Sequence, residues 1–292
     1  MRQAPRLRQD AETLAGPLPP LLAAAEHLAS SVMAGEHGRR RVGQGDQFWQ
    51  YRPSHAGDEA RSIDWRRSAR SDDGLFVREK EWQAAQSVMV WLDTGQSMEF
   101  SSDKALPTKA DRARLLALAM AVLLIRGGER VGLTNAGLPP RAGQVQLMRL
   151  TASLAESAEA AEYIAPELRG VPARSRAVFV SDFLGDIGPV KSALTRAADR
   201  GVDGALVQIL DPQEEAFPFD GRTIFESVGG TLAHETLKAG HLRDRYLERL
   251  AARKDELQSL ARATGWQFHC HHTDKSASGA LLWLYGALER VH

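Results

Sequence analysis

An apolar run that stops at an acid constrains this chain more than any other feature of its sequence. In the segment QSVMVWLDTGQSM, residues 86–98, five consecutive apolar residues directly precede Asp93. A short run rich in β-branched and aromatic residues is typical of a strand buried on both faces, as in parallel sheets flanked by helices. Asp93 is therefore expected at the carboxyl end of such a strand, where ligands bind in open α/β sheets because the connecting loops diverge there.

A second stretch repeats this arrangement. Four apolar residues, 177–180, lead into Ser181 and Asp182. The carboxyl ends of parallel strands lie at one edge of a sheet, so neighbouring strands would place both acids in one site. The hypothesis is that Asp93 and Asp182 lie side by side along a single rim and form a docking surface.

Strand and helix patterns alternate from residue 86 onward. A strong helix is predicted over residues 108–126, where apolar positions recur at helical spacing and Gly127 and Gly128 follow. Five strands separated by helices predict an α/β fold with a doubly wound, mostly parallel sheet. We expect this domain over residues 84–292. Residues 1–83 are expected to form an N-terminal helix and an arginine-rich module of short strands and irregular structure that packs against it.

Composition and charge exclude some functional classes. Lysine and arginine together number 37, as do aspartate and glutamate, so the formal net charge is zero. Attraction to nucleic acid or to an anionic membrane would therefore need a local patch. The single cysteine, Cys270, excludes an internal disulfide and fits a reducing compartment. The opening residues have no apolar core of a secretory signal, and we predict a cytoplasmic protein.

One local patch is basic. Between Arg39 and Arg70 the chain has eight arginines against four acids, interleaved with aromatic residues. One interpretation is nucleic-acid binding, with guanidinium groups on phosphates and aromatic rings stacked on bases. The other is a structural or partner-docking role, with arginine–acid pairs and Trp65 as a buried anchor. The zero net charge favours the second interpretation.

These motifs resemble two known patterns. The run from Asp93 through Thr94, Gly95 and Gln96 to Ser97 resembles the Asp-x-Ser-x-Ser opening of the metal-ion-dependent adhesion site in von Willebrand factor A domains. The upstream segment resembles the signature of the bacterial family catalogued as domain of unknown function fifty-eight. The positions that carry this resemblance are Gly45, Asp46, Arg52, Asp58, Arg61, Asp64, Trp65 and Arg70, followed by Ser181-Asp182-Phe183-Leu184 and Asp211-Pro212-x-Glu214.

The resemblance implies a fold and a partner. The fold is a von Willebrand factor A (Rossmann-like) sheet. The partner is a MoxR-type AAA+ ATPase, for which the protein would be an adaptor or client in protein remodelling or maturation.

The resemblance also implies a metal site, which this sequence matches only in part. Asp93, Ser97 and Asp182 match ligands for Mg²⁺ or another divalent cation, whereas Gly95 replaces the first serine and residues 139–144 contain no threonine. Three protein ligands weaken cation binding without excluding it. The alternative is a metal-free edge, in which Asp93 and Ser97 hold the loop through hydrogen bonds to the backbone.

We therefore predict a non-enzymatic protein-interaction module. Its partner-binding residues would be Asp93, Thr94, Gln96, Ser97 and Asp182, which would engage a partner acid directly or through a cation. One alternative is a metal-dependent hydrolase that uses Asp93 and Asp182, although the chain has no Gly-x-Ser-x-Gly elbow and no phosphate-binding loop. The other is nucleic-acid binding through the stretch from Arg39 to Arg70.

The run His269-Cys270-His271-His272 is a weaker metal candidate. On a strand, alternate side chains point to opposite faces, so these four cannot converge on one ion. A structural role at the end of a strand is expected.

Overall fold

A computed structural model describes residues 20–35, 48–55, 63–71, 74–80, 85–155, 161–226, 233–236 and 240–289. The helices are α1 (Pro20–Gly35), α2 (Trp65–Ser68), α3 (Lys109–Arg126), α4 (Gln144–Leu154), α5 (Ile187–Ala198), α6 (Pro212–Ala216), α7 (Gly240–Ala263) and α8 (Ala277–Glu289). The strands are β1 (Phe48–Pro53), β2 (Phe76–Lys80), β3 (Ser87–Leu92), β4 (Arg130–Leu133), β5 (Leu138–Arg141), β6 (Arg176–Ser181), β7 (Asp203–Leu210), β8 (Thr223–Glu226), β9 (Ala233–Thr236) and β10 (Gln267–His272).

The central sheet has six strands in the order β10-β7-β6-β3-β4-β5. All neighbouring pairs are parallel except β4 and β5, which are antiparallel. The strand order reverses direction beside β3, as in Rossmann-like doubly wound folds. The predicted α/β fold class with a mostly parallel sheet is therefore confirmed.

The edge strand β5 was not predicted. Its sequence is LPPR, and prolines cannot donate hydrogen bonds within a ladder. An edge strand tolerates proline because one side of its backbone has no neighbouring strand. Sequence pattern alone did not distinguish this strand from a loop.

The apolar run of β3 is continuous because both of its faces are covered. Val88, Val90 and Leu92 lie in a core cluster with residues of α1, α3 and α8. Met89 and Trp91 lie in a second cluster, on the opposite face, with residues of α5 and α7. In the described part of the chain, no helix is long and apolar enough to cross a membrane.

The chain divides differently from the predicted boundary between residues 83 and 84. One unit comprises Met1–Gly38 and Gln86–His292, and the other comprises Arg39–Ala85. Helix α1 belongs with the sheet because Leu22, Ala25 and Ala29 are fully buried in the same cluster as α3 and α8. A helix buries its apolar face against another apolar surface. For α1 that surface is formed by α3 and α8, which follow the arginine-rich segment in the sequence.

The arginine-rich unit contains short strands, as predicted. Strands β1 and β2 pair in antiparallel fashion. Asp64 caps helix α2, since its Oδ1 atom accepts a hydrogen bond from the backbone amide of Arg67 at 2.9 Å. Trp65 is 59% exposed, so the expectation of a buried anchor is wrong. The signature positions Gly45, Asp46, Asp58 and Arg61 lie outside the described residues.

Candidate functional site

The two predicted acids lie at the same edge of the sheet. Strands β3 and β6 are adjacent and parallel, with Leu92 opposite Val180. The backbone amide of Asp93 donates to the carbonyl of Val180 at 2.8 Å, which continues the ladder by one residue. The hydroxyl of Ser181 then donates to Asp93 Oδ2 at 2.7 Å. The prediction that the two strands are neighbours is confirmed.

The same two acids are buried. Asp93 is 4% exposed and Asp182 is fully buried, so neither carboxylate forms the exposed docking surface that we expected. Ser97 is also buried. Of the predicted partner-binding residues, only Thr94 and Gln96 are partly exposed. The edge is therefore covered, and solvent reaches the residues around these acids and not the acids themselves.

The side chain that covers Asp182 is Lys109, from the first turn of α3. Its ammonium lies 2.8 Å from Asp182 Oδ2 and 2.6 Å from Glu214 Oε1, and the side chain is 1% exposed. Burial disfavours the charged ammonium, yet the two carboxylates outweigh that effect and raise the pKa of Lys109 above its ordinary value. The result is a buried ion cluster joining α3, the end of β6 and α6.

Sequence reasoning missed Lys109 because it lies just before the apolar face of a strong helix. Its position did contain a signal. The N-terminus of a helix carries partial positive charge, so a lysine in the first turn is unfavourable unless a nearby acid neutralises it. Glu214, the second acid that contacts Lys109, belongs to the motif Asp211-Pro212-x-Glu214, to which the sequence assigned no role. The capping box of α6 fixes its position, because its Oε2 atom accepts from the backbone amide of Asp211 at 2.8 Å.

A backbone segment lies over the loop that follows β3. The amide of Gln96 donates to the carbonyl of Ala161 at 2.9 Å, and the amide of Ser97 donates to that of Glu162 at 3.0 Å. A Cβ atom at Gly95 would lie 2.5 Å from the carbonyl oxygen of Glu162. Glycine fits here because the overlying backbone leaves no space for a side chain.

Asp93 acts mainly as a hydrogen-bond acceptor within its own loop. Its Oδ1 atom accepts from the backbone amide of Gly95 at 2.8 Å, and Oδ2 accepts from Ser181. Burial raises the pKa of Asp93 to about 6, an effect that these two hydrogen bonds oppose and the charge of Asp182 reinforces. This arrangement agrees with the metal-free alternative for Asp93, which holds the loop. For Ser97 that alternative is wrong, because its hydroxyl has no hydrogen-bond partner among the described residues.

The predicted metal ligands do not form a cation site. Both carboxylate oxygens of Asp93 and both of Asp182 accept hydrogen bonds from protein groups. The described residues contain no group of three or more His, Cys, Asp or Glu side chains arranged to hold a metal ion. The hydroxyl of Ser97 is buried and has no hydrogen-bond partner in the described part of the chain. The ammonium of Lys109, 2.8 Å from Asp182 Oδ2, lies where a cation would approach this acid, so the donor set present does not fit Mg²⁺ despite the unpartnered Ser97 hydroxyl.

A cleft of about 800 Å³ opens beside this cluster. Its floor includes Ser97, Lys109 and Asp182. Its walls are largely aromatic and apolar, formed by Phe100, Tyr163, Leu184, Phe217, Phe219, Ile224, Leu242 and Tyr246. The polar lining includes Ser101, Ser102, Glu162, Gln213, Glu214 and Thr223. Arg245 and Arg249, one turn apart on α7, also line the cleft and are exposed. Neither makes an ion pair with a described residue. An apolar cleft with a few convergent polar groups is the usual form of a binding site.

The histidines of β10 contact different groups. His269 stacks on Trp283 with ring centroids 4.6 Å apart, while Nε2 of His271 lies 2.9 Å from a terminal nitrogen of Arg112. His272 contacts Glu215. The three imidazoles therefore contact three different groups.

The fold and the site define a doubly wound α/β protein with a closed ion cluster and a cleft at the carboxyl edge of its sheet. The family described as "Protein of unknown function DUF58" matches residues 50–256, more than half of the chain. The chain belongs to this family, which confirms the resemblance of its sequence to domain of unknown function fifty-eight.

Relatives include uncharacterized proteins of Mycobacterium tuberculosis and Mycobacterium bovis. Each is 24% identical over 280 residues, which is 91% of this chain and 87% of the relative. Among solved structures, the chain is similar to an aerotolerance-related membrane protein of Bacteroides fragilis, at 13% identity and a TM-score of 0.41. It is also similar to the conserved hypothetical protein BatB of Bacteroides thetaiotaomicron, at 14% identity and a TM-score of 0.39. Both matches cover 70% of this chain and 98% of the other.

Proposed function

We propose that this protein is a cytoplasmic, non-enzymatic interaction module whose partner binds in the cleft beside the Lys109 cluster. The partner is a MoxR-type AAA+ ATPase, and the protein is its adaptor or client in remodelling or maturing other proteins. The observation that carries the proposal is the cleft, which combines aromatic walls with two exposed arginines. The identity of the partner rests on the family resemblance.

The cleft has the composition of an interface centre. Phe100, Tyr163, Phe217 and Tyr246 are among its lining residues, and aromatic side chains with arginine dominate binding energy in protein interfaces. Some of these rings are held by neighbours, as where Phe217 packs against Tyr246 with centroids 4.9 Å apart. Preorganised rings lose little side-chain entropy when a partner binds.

The two arginines determine the chemistry of the partner segment. Arg245 and Arg249 are four residues apart on α7, so they lie on the same face of the helix. A partner acid beside an apolar anchor would pair with them while the anchor enters the cleft. This moves the predicted contact with a partner acid from Asp93 and Asp182 to the rim of the cleft.

The hydrolase alternative has less support. A hydrolase built on Asp93 and Asp182 would need carboxylate oxygens available to a metal or to a nucleophilic water. Both carboxylates are instead buried and hydrogen-bonded within the fold. A protein that binds a partner without catalysis does not need these carboxylates to be accessible.

The test uses the purified chain and the purified MoxR-type ATPase of the same host. Affinity would be measured by calorimetry for the wild type and for the double variant Arg245→Glu, Arg249→Glu. Reversing both charges should weaken binding by at least about tenfold, because an acidic partner segment is then repelled. The control is Arg243→Glu, which is also exposed on α7 but lies on its other side and does not line the cleft.

Two results would contradict the proposal. Absence of binding by the wild type would remove the ATPase as the partner. Equal affinity of the double variant and the wild type would remove the cleft as the binding surface. The Arg243→Glu control should bind within about twofold of the wild type, since mutations outside an interface leave its affinity nearly unchanged.

A further inference from the structure

The ion cluster shows where the positive charge of this site comes from. Lys109 Nζ lies between Asp182, at the end of β6, and Glu214, in the helix after β7. Strands β6 and β7 are neighbours, so the ammonium lies between acids that follow two adjacent carboxyl ends. The resemblance to adhesion-type sites predicts a divalent cation at this same edge of the sheet.

Every carboxylate oxygen in the cluster already has a protein donor. Asp93 accepts from the amide of Gly95 and the hydroxyl of Ser181. Asp182 accepts from the amide of Leu184 and from Lys109. Glu214 accepts from Lys109 and from the amide of Asp211. A divalent cation takes about six oxygen ligands, and to reach Asp182 Oδ2 or Glu214 Oε1 it would have to displace the ammonium of Lys109.

Charge leads to the same conclusion. A divalent cation bound to Asp182 would lie within a few ångströms of an ammonium that is 2.8 Å from the same carboxylate. Two like charges at such a distance in a buried site repel strongly, so lysine and metal exclude each other. A separate, steric effect acts at Gly95, where the carbonyl of Glu162 fills the space that the first serine of the adhesion-site pattern would need.

We propose that Lys109 is the permanent cation of this site, and that its ammonium replaces the divalent metal of adhesion-type sites. The inference rests on the proposed function in one respect: a partner would then be bound independently of Mg²⁺. The structural claim concerns the isolated chain, so it is tested without the partner and can fail separately from the proposed function.

The first measurement uses the wild-type chain alone. Calorimetric titration with MnCl₂ and with MgCl₂ should show no saturable binding. The melting temperature should be the same in millimolar MgCl₂, MnCl₂ or EDTA. Saturable Mn²⁺ binding that is abolished by Asp182→Asn would overturn the proposal.

The second measurement removes the ammonium. Lys109→Ala should lower the melting temperature by roughly 10 °C, because two carboxylates lose their counter-charge. MnCl₂ should then raise the melting temperature of the variant, since the cation regains access to Asp182 and Glu214. The control is Lys104→Ala, at an exposed lysine of the preceding loop, which should melt like the wild type and not respond to Mn²⁺.

The variant also provides contrary outcomes. A Lys109→Ala protein as stable as the wild type would show that the ammonium neutralises nothing. A destabilised variant that gains no stability from Mn²⁺ would show that the ammonium does not lie where a cation binds. If the variant does not fold, the titration of the wild type still decides between a lysine and a metal.

Discussion

The sheet-edge cluster and the arginine-rich unit use similar residues in opposite environments. At the sheet edge, Lys109 is 1% exposed and bonded to two acids. In the arginine-rich unit, Trp65 is 59% exposed, and Arg66 and Arg70 beside it are exposed as well. Buried charges must be paired, so the first group fixes geometry. Exposed arginine and tryptophan are free to meet a partner, so the second group is suited to recognition.

The largest expected effect comes from breaking the buried cluster. Asp182→Asn should lower the free energy of unfolding by about 3 kcal/mol, because Lys109 loses one of its two counter-charges in a buried site. Urea denaturation monitored by circular dichroism measures this change. Asp255→Asn, at an exposed acid of α7, is the control and should stay within about 0.5 kcal/mol of the wild type. A small effect of Asp182→Asn would show that this cluster behaves like a surface ion pair.

Introducing at position 95 the serine of the adhesion-site pattern should also destabilise the protein. Gly95→Ser would place a side chain 2.5 Å from the carbonyl oxygen of Glu162, so we expect a loss of about 2 kcal/mol in unfolding free energy. The control is Gly279→Ser in α8, where an added Cβ meets no atom within 4 Å. A Gly95→Ser variant that is stable and binds Mn²⁺ would contradict our description of the loop.

The third effect depends on pH. Burial raises the pKa of Asp93 to about 6 from 3.8. Between these two pH values Asp93 keeps its proton in the folded chain and has lost it in the unfolded chain. The protonated Asp93 therefore stabilises the fold fully below about pH 4, and this contribution disappears as pH rises through about 6. The unfolding free energy of the wild type should therefore rise, relative to that of Asp93→Asn, by roughly 1 to 1.5 kcal/mol from about pH 7.5 to about pH 5.

Denaturation of both proteins at the two pH values gives this difference directly. Groups shared by the wild type and the variant cancel in the comparison. A difference of the opposite sign would mean that Asp93 is stabilised as a carboxylate, as a bound cation would make it.

The smallest expected effect on stability is in the arginine-rich unit. Trp65→Ala should change the unfolding free energy by less than about 1 kcal/mol, since most of the side chain remains in water in the folded state. Chromatography on immobilised single-stranded nucleic acid at low salt is the functional measurement, because only such a ligand offers bases on which Trp65 can stack. Salt-dependent retention of the wild type that decreases in Trp65→Ala would support the nucleic-acid interpretation over partner docking.

The continuous strand patterns made most of the fold predictable. Residues 88–92 and 177–180 are apolar at every position, and both became buried parallel strands of the central sheet. Strand β5 could not be predicted in the same way, because its two prolines give a loop-like sequence that only an edge position accepts. Helix α1 was assigned to the wrong unit, because periodicity shows that a helix has an apolar face but not which surface covers it.

The sequence predicted only part of the candidate site. Asp93 and Asp182 were predictable because each acid ends an apolar run. Lys109 was not predicted as their counter-charge, since 73 residues separate it from Asp182. Arg245 and Arg249 were equally hidden, because α7 lies far along the chain from the loops that form the rest of the cleft.

The sequence by itself determined the α/β class, the family and the placement of two acids at one edge of the sheet, because local hydrophobic pattern specifies strands and their ends. Only the tertiary structure decided whether that edge is open or closed and which basic side chain lies against its acids. Both depend on contacts between segments distant in sequence. The energy of a buried charge is determined by the neighbours that folding brings to it.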